Sequence, residues 1–227
     1  AIEEGRNIYN NIKKSVVFLL SCNLGEVVTI LLSILFFWPV PLLPTQILWI
    51  NLITDTWPAS ALGIDPADKD VMNKKPRNPK VSFLAHGAGL RAIMGGILIG
   101  LLTLGAFFYG LYEHGYSLGS RNIPEDVLTY ARTMAFVVLA ASQLFYSLAM
   151  RNPTKSIFQI GIFSNLYLIG AIIIGFILQF SVISIPFLAN AFKVHNISIR
   201  DWGLVILFAL IPLMINEIVK IFLRKRE

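Results

Sequence analysis

The chain has 227 residues, of which 56% are hydrophobic and 14% charged, and it carries a formal net charge of +6. This balance excludes an ordinary soluble domain. Its single cysteine, Cys22, excludes an intrachain disulfide.

Residues 1–14, AIEEGRNIYNNIKK, are charged and amphipathic, and no small-residue cleavage site follows a short apolar core, so they do not read as a signal peptide. Glu3 and Glu4 precede Arg6, and no proline occurs before Pro39. A helix over 2–38 would be about 55 Å long, against a hydrocarbon core of ~30 Å. The surplus is expected to project into the cytoplasm as a stalk able to couple mechanically to a soluble domain. The first span is expected over 15–38. Within it Cys22 reads as a small packed side chain, and Gly25 as a point of close helix packing.

A second span is expected over 45–63, followed by a loop over 64–87 that contains Pro66, Pro76 and Pro79. That loop is either a solvated basic connection that enforces topology or a docking surface for a cytoplasmic domain. Further spans are expected over 88–112, 133–150, 163–188 and 203–223, the fourth span being the shortest. Runs of this length without strand-like alternation argue for helices rather than a barrel. Glu217 reads as half of a surface pair with Lys220. His86, His114 and His195 all fall in connections and form no cluster. The expected class is an all-α, polytopic membrane protein: a stalk over 1–14, continuous with the first span, and a six-helix transmembrane transport domain over 15–227.

Charge placement sets the orientation. Stretches 1–14, 64–91, 151–157 and 220–227 hold 15 of the 19 Lys and Arg, whereas the alternating connections hold Arg121, Arg132, Lys193 and Arg200. This is the positive-inside pattern, with both termini cytoplasmic. The basic charge therefore serves topology, and no nucleic-acid partner is implied.

Two carboxylates stand inside apolar runs, Glu26 in SCNLGEVVTILL and Asp55 in LWINLITDTWPASALG. A charge at bilayer depth costs a few kcal/mol or more, so it marks a partner or a cavity. Asn23 lies three residues before Glu26, and Asn51 and Thr54 lie four and one before Asp55, so each set is expected on one helix face. Pro58 has no N–H for the carbonyl of Thr54, and a freed carbonyl beside Asp55 suits a cation site. Gln143, next to Ser142, can add a neutral oxygen from the fourth span. Carboxylate, amide and backbone oxygens suit Ca²⁺ and argue against Zn²⁺ or Cu⁺. The alternative is a structural proline kink surrounded by polar residues that bond only across helices.

AIEEGRNIYNNIKK, SCNLGEVV and LLPTQILWINLITDTWPASALGIDPADKDVMNKKPRNPK together resemble the last six membrane helices of calcium-transporting P-type ATPases. The likeness is dense over residues 1–80 and continues beyond them mainly as hydropathy and order. It implies that Asn23 and Glu26 match cation ligands of the family's fifth helix, and that Asn51, Thr54 and Asp55 match those of its sixth, with Asp55 at the position shared by both ions in two-calcium pumps. Asn51 stands where sodium/potassium pumps carry Asp. Gln143 stands where two-site pumps of the sarcoplasmic-reticulum type carry Glu, a missing charge that bears against a second ion.

The resemblance further implies Ca²⁺ as the transported ion, with ATP and Mg²⁺ used only by the full-length pump. The partners it implies are the lipid bilayer, a cytoplasmic phosphorylation domain and the first four membrane helices of the same pump. The chain has no DKTGT-type phosphorylation motif. It is expected to be a C-terminal piece, inactive alone, in what reads as a bacterial cell membrane. A Mn²⁺ or mixed Ca²⁺/Mn²⁺ pump segment, or a non-catalytic membrane scaffold, are the competing readings.

Overall fold

A computed structural model describes residues 2–68, 70–73, 83–85, 87–117, 119–120 and 122–224. Among them regular structure is entirely helical, and five helices are long and apolar enough to cross a membrane.

Helix α1 runs unbroken from Ile2 to Leu35, about 51 Å at 1.5 Å per residue. Glu3 and Glu4 occupy its first turn, where the helix dipole favours negative charge. It ends in a double closure: Phe37 N–H donates to the Ile34 carbonyl at 3.2 Å and Trp38 N–H to that of Ser33 at 2.8 Å. Phe37 takes the left-handed conformation (φ 56°) that a glycine normally supplies at such an end.

The second expected span is a continuous helical run with a defect at its centre. Helix α2 (Pro44–Trp49) passes into a π-helical turn over Ile50–Asp55 and then into α3 (Thr56–Gly63). Pro44 starts the run without needing to donate, and Gln46 caps it by accepting from Leu43 N–H at 3.0 Å. The widened turn ends three residues before Pro58, whose missing N–H and ring bulk disfavour ordinary α bonding to Thr54.

Helix α4 (Ala88–Glu113) packs along α1 through glycine. A Cβ on Gly96 would lie 2.7 Å from Leu24 Cβ, and one on Gly100 would lie 2.8 Å from the Gly25 carbonyl. Small residues four apart let the two backbones touch. Thr29 exploits the approach by donating to its own Gly25 carbonyl at 2.8 Å and reaching that of Gly100 at 3.3 Å.

Helix α5 (Glu125–Ala149) is the buried centre of the bundle, packed against α4, α7 (Leu166–Ser184) and α9 (Ile199–Arg224). It is 25 residues long and starts eight residues before the expected 133, so it is not the shortest span. Pro124 and the acidic first turn of Glu125 and Asp126 start it, in a polar stretch that hydropathy alone misses. Arg132 consequently lies within α5 rather than in a connection, donating to the Val40 carbonyl at 3.0 Å. Short α6 (Ile157–Ile160) precedes α7. The expected fifth span, 163–188, divides at Ile185 into α7 and α8 (Pro186–Phe192).

The described parts of the segments rich in basic residues gather at one end of the bundle. Asp65, just after α3, is 6% exposed and is bound by Lys14 at 2.8 Å, Arg151 at 2.9 Å and Asn165 Nδ2 at 2.9 Å, while Asn11 donates to its carbonyl at 2.7 Å. Arg151 is itself 1% exposed and also donates to the Gly161 carbonyl and Ser164 Oγ, at 2.9 and 2.6 Å. Arg6 and Lys13 donate to the carbonyls of Val71 and Ala85. The described part of loop 64–87 is thus ordered by contact with this chain's own α1; Pro76, Pro79 and His86 lie outside the described residues. Lys155 bridges Asp70 and Asp68, and these partners push its ammonium above the usual lysine value.

Glu217 and Lys220 do pair, at 2.7 Å, but not on the surface: their side chains are 16% and 4% exposed. Glu217 also accepts from Ser156 Oγ and Ile157 N–H, joining the end of α9 to the start of α6. His114 ends α4 and His195 lies in the connection before α9, far apart in the chain and in different contacts.

Candidate cation site

The π turn brings the polar side chains of the second run against α1 and α5. Glu26 is 6% exposed and its Oε2 accepts from Asn51 Nδ2 at 3.1 Å; Asn51 also donates to its own Ile47 carbonyl at 3.0 Å. Thr54 and Gln143 are fully buried and joined at 2.9 Å between Oγ1 and Oε1. Thr54 Oγ1 lies equally close to the Ile50 carbonyl, at 3.0 Å, and one hydroxyl proton cannot fully serve both acceptors.

Asp55 is 1% exposed and neither of its oxygens has a hydrogen-bond partner. Glu26 Oε1, Gln143 Nε2 and Ser142 Oγ are buried and unpartnered as well. The fully buried Cys22 thiol adjoins Asp55, too weak a donor to satisfy a carboxylate. Outside this cluster the buried orphans among the described residues are Gln179 Nε2 on α7 and Asp201 Oδ1 on α9, one atom each, whereas five such atoms gather here.

Five of the six expected residues therefore meet: Glu26, Asn51, Thr54, Asp55 and Gln143. Asn23 does not. It is exposed, and its Nδ2 donates to its own Leu19 carbonyl at 2.8 Å. At about 100° per residue, Asn23 and Cys22 flank Glu26 by about 60° and 40° on opposite sides. The expectation that Asn23 shares the inward face of Glu26 fails because packing of α1 against α4 and α3 turns the Cys22 side inward. The same i, i+4 spacing of Cys22 and Glu26 was the sequence signal for the thiol's place beside the cluster.

Oxygen donors dominate the cluster, which suits a hard cation. Among the described residues no three His, Cys, Asp or Glu side chains converge to hold a metal, so two carboxylates and neutral oxygens are what the chain itself offers.

Residues 39–222 match the family described as "Cation transporting ATPase, C-terminus". The chain is 54% identical over 226 residues to "Calcium-transporting ATPase 1" of Bacillus cereus (strain ATCC 10987 / NRS 248), an alignment covering 97% of this chain and 25% of that protein. It is 42% identical over 212 residues to "Calcium-transporting ATPase" of Bacillus subtilis (strain 168), covering 93% of this chain and 23% of that protein. The chain spans about a quarter of the length of these relatives. With its matched region extending from just after α1 almost to the end of α9, the chain belongs to the cation-transporting ATPase C-terminal family.

Proposed function

We propose that this chain is the membrane transport segment of an ATP-driven pump that exports Ca²⁺ from the cytoplasm, with the ion held between α1, the π turn and α5. The observation that carries this reading is Asp55: a carboxylate 1% exposed, with both oxygens unpartnered, beside a second buried carboxylate with one free oxygen. Two such groups without counter-charge are strongly unfavourable in a low-dielectric interior, and a divalent cation supplies the missing charge. The calcium-transporting relatives support Ca²⁺ as that cation.

Ca²⁺ takes six to eight oxygens. Glu26, Asn51, Thr54, Asp55 and Gln143 supply part of this shell. Asn23 joins from the exposed face of α1 once other helices of the same pump cover it, and those helices provide the remaining ligands. ATP, Mg²⁺ and the phosphorylation domain belong to the rest of the pump, so the segment alone neither hydrolyses ATP nor transports. The long first helix links the two: residues 1–14 form the stalk, tied to loop 64–87, and a tilt of α1 moves Glu26 relative to the π turn. In this reading both termini face the cytoplasm of a bacterial cell and the bundle spans its membrane. Labelling of a cysteine at position 74 from outside the cell, on a Cys22→Ala background, contradicts that orientation.

The test is Asp55→Asn in the full-length pump. It keeps volume and removes the charge. Ca²⁺-dependent phosphorylation from ATP should be lost while Ca²⁺-independent phosphorylation from inorganic phosphate persists. Wild-type Ca²⁺ activation removes Asp55 from the site, and activation by Mn²⁺ but not Ca²⁺ reassigns the cargo.

A further inference from the structure

A cavity of about 370 Å³ opens at the end of the bundle where α1 begins, between α1, the start of α4, the end of α5 and the end of α9. Four basic side chains, Lys13, Lys14, Arg91 and Lys220, line it against one acid, Asp68. The acids that serve these cations lie outside the lining: Lys14 binds Asp65, which Arg151 shares, and Lys220 binds Glu217. Asp68 is itself engaged by Lys155. Arg91 is half-buried, and among the described residues its guanidinium has neither an ion pair nor a hydrogen bond. Lys220 feels the like charges of Arg91 and Arg151.

Surplus positive charge in a partly dehydrated cavity is unfavourable until an anion enters. A guanidinium fork suits the paired oxygens of a phosphate. Asn7 and Asn216, also in the lining, offer amide donors to further oxygens. Arg91 stands in the first turn of α4 and Lys220 in the last turns of α9, so under the membrane placement proposed above the cavity lies at headgroup depth, where basic groups meet anionic lipid.

We infer that this cavity binds a phosphate group, presented by an anionic phospholipid of the adjoining leaflet or by free phosphate. It is separate from the cation site, and it stands or falls independently of which cation is carried.

Native mass spectrometry of the purified full-length pump tests the lipid arm, with phosphatidylglycerol compared with phosphatidylcholine. Binding of [³²P]phosphate in EDTA, which prevents phosphoryl transfer, tests the free-phosphate arm. Wild-type protein should retain phosphatidylglycerol over phosphatidylcholine, and Arg91→Gln should weaken retention about fivefold, the contribution of one basic residue at an anionic surface. Asn7→Asp, which keeps shape and adds a negative charge at the cavity, should weaken it comparably even if Arg91→Gln folds poorly. Phosphate binding without lipid preference, lost in both variants, assigns the site to free phosphate. Equal uptake of both lipids, and of phosphate, by wild type and variants overturns the inference.

Discussion

Arg151→Met probes how the bundle holds its two site-bearing elements together. Arg151 donates to Asp65 Oδ1, to the Gly161 carbonyl and to Ser164 Oγ, at 2.9, 2.9 and 2.6 Å, from a side chain 1% exposed. Asp65 also takes Lys14 from α1, and Asn165, which bonds Asp65, donates to the Ala61 carbonyl of α3 at 3.0 Å. The cluster thus fixes α3 against α1, and with them Asp55 against Glu26. Removing Arg151 loses one charge-assisted bond and two bonds to neutral acceptors, while Lys14 and Asn165 still serve Asp65. The cost is about 3 kcal/mol, at the lower end of what breaking a buried pair brings.

Over a 150–250-residue domain that is a fall of roughly 6–12 °C in melting temperature, and a smaller one in the longer full-length pump. The assay is thermal unfolding of the full-length pump in detergent, read alongside the Ca²⁺ concentration for half-activation, which should rise. Asp65→Asn in the same background should cost less than the sum of the single changes, with a coupling of about 1 kcal/mol or more. A loss under about 1 kcal/mol for Arg151→Met, or additive singles, refutes the reasoning.

Three further outcomes follow from the same structure. Gln143→Glu places a third carboxylate beside Glu26 and Asp55; wild type should bind one Ca²⁺ per phosphorylation site and the variant should bind more tightly or add a second, whereas two bound ⁴⁵Ca in wild type contradict the charge argument. Gly96→Val should destabilise by about 1–3 kcal/mol, because its Cβ would meet Leu24 at 2.7 Å and the Ser21 carbonyl at 2.9 Å; unchanged thermal stability would show that α1 and α4 are not in backbone contact. Lys155→Met should show a small penalty that is flat across neutral pH. Because Asp70 and Asp68 raise the Lys155 value in the fold, that contribution is fully present below the ordinary 10.5 and fades only as pH rises through the higher folded value, so a penalty that fades near neutral pH counts against the pairing.

The sequence exposed α1 clearly, since an unbroken run without proline, begun by two acids, has few alternatives to a helix. It also exposed the pairing of Glu26 with Asp55, because charged residues inside apolar runs are rare enough to stand out. The π turn was only half visible: Pro58 announced an interruption, but not the hydrogen-bond register that absorbs it, and the partner of Thr54 in that turn, Gln143, lies 89 residues away in the chain. The start of α5 was hidden because a helix buried by its neighbours need not be apolar in its first turns. Arg151 read only as one of the basic residues that set topology and Asp65 as one charge among many in loop 64–87, and nothing local marks either as buried. Their burial arises where four segments converge, which spacing along one chain does not encode.

The central claim is that a cation sits on Asp55 and Glu26. The most direct measurement is the anomalous scattering of Ca²⁺ in crystals of the full-length pump trapped in its cytoplasm-facing state. A single peak within about 2.3–2.6 Å of an Asp55 carboxylate oxygen, with Glu26 and Gln143 oxygens around it, is the expected result. A structure with Ca²⁺ bound and occluded elsewhere, leaving Asp55 bonded only to protein, contradicts it.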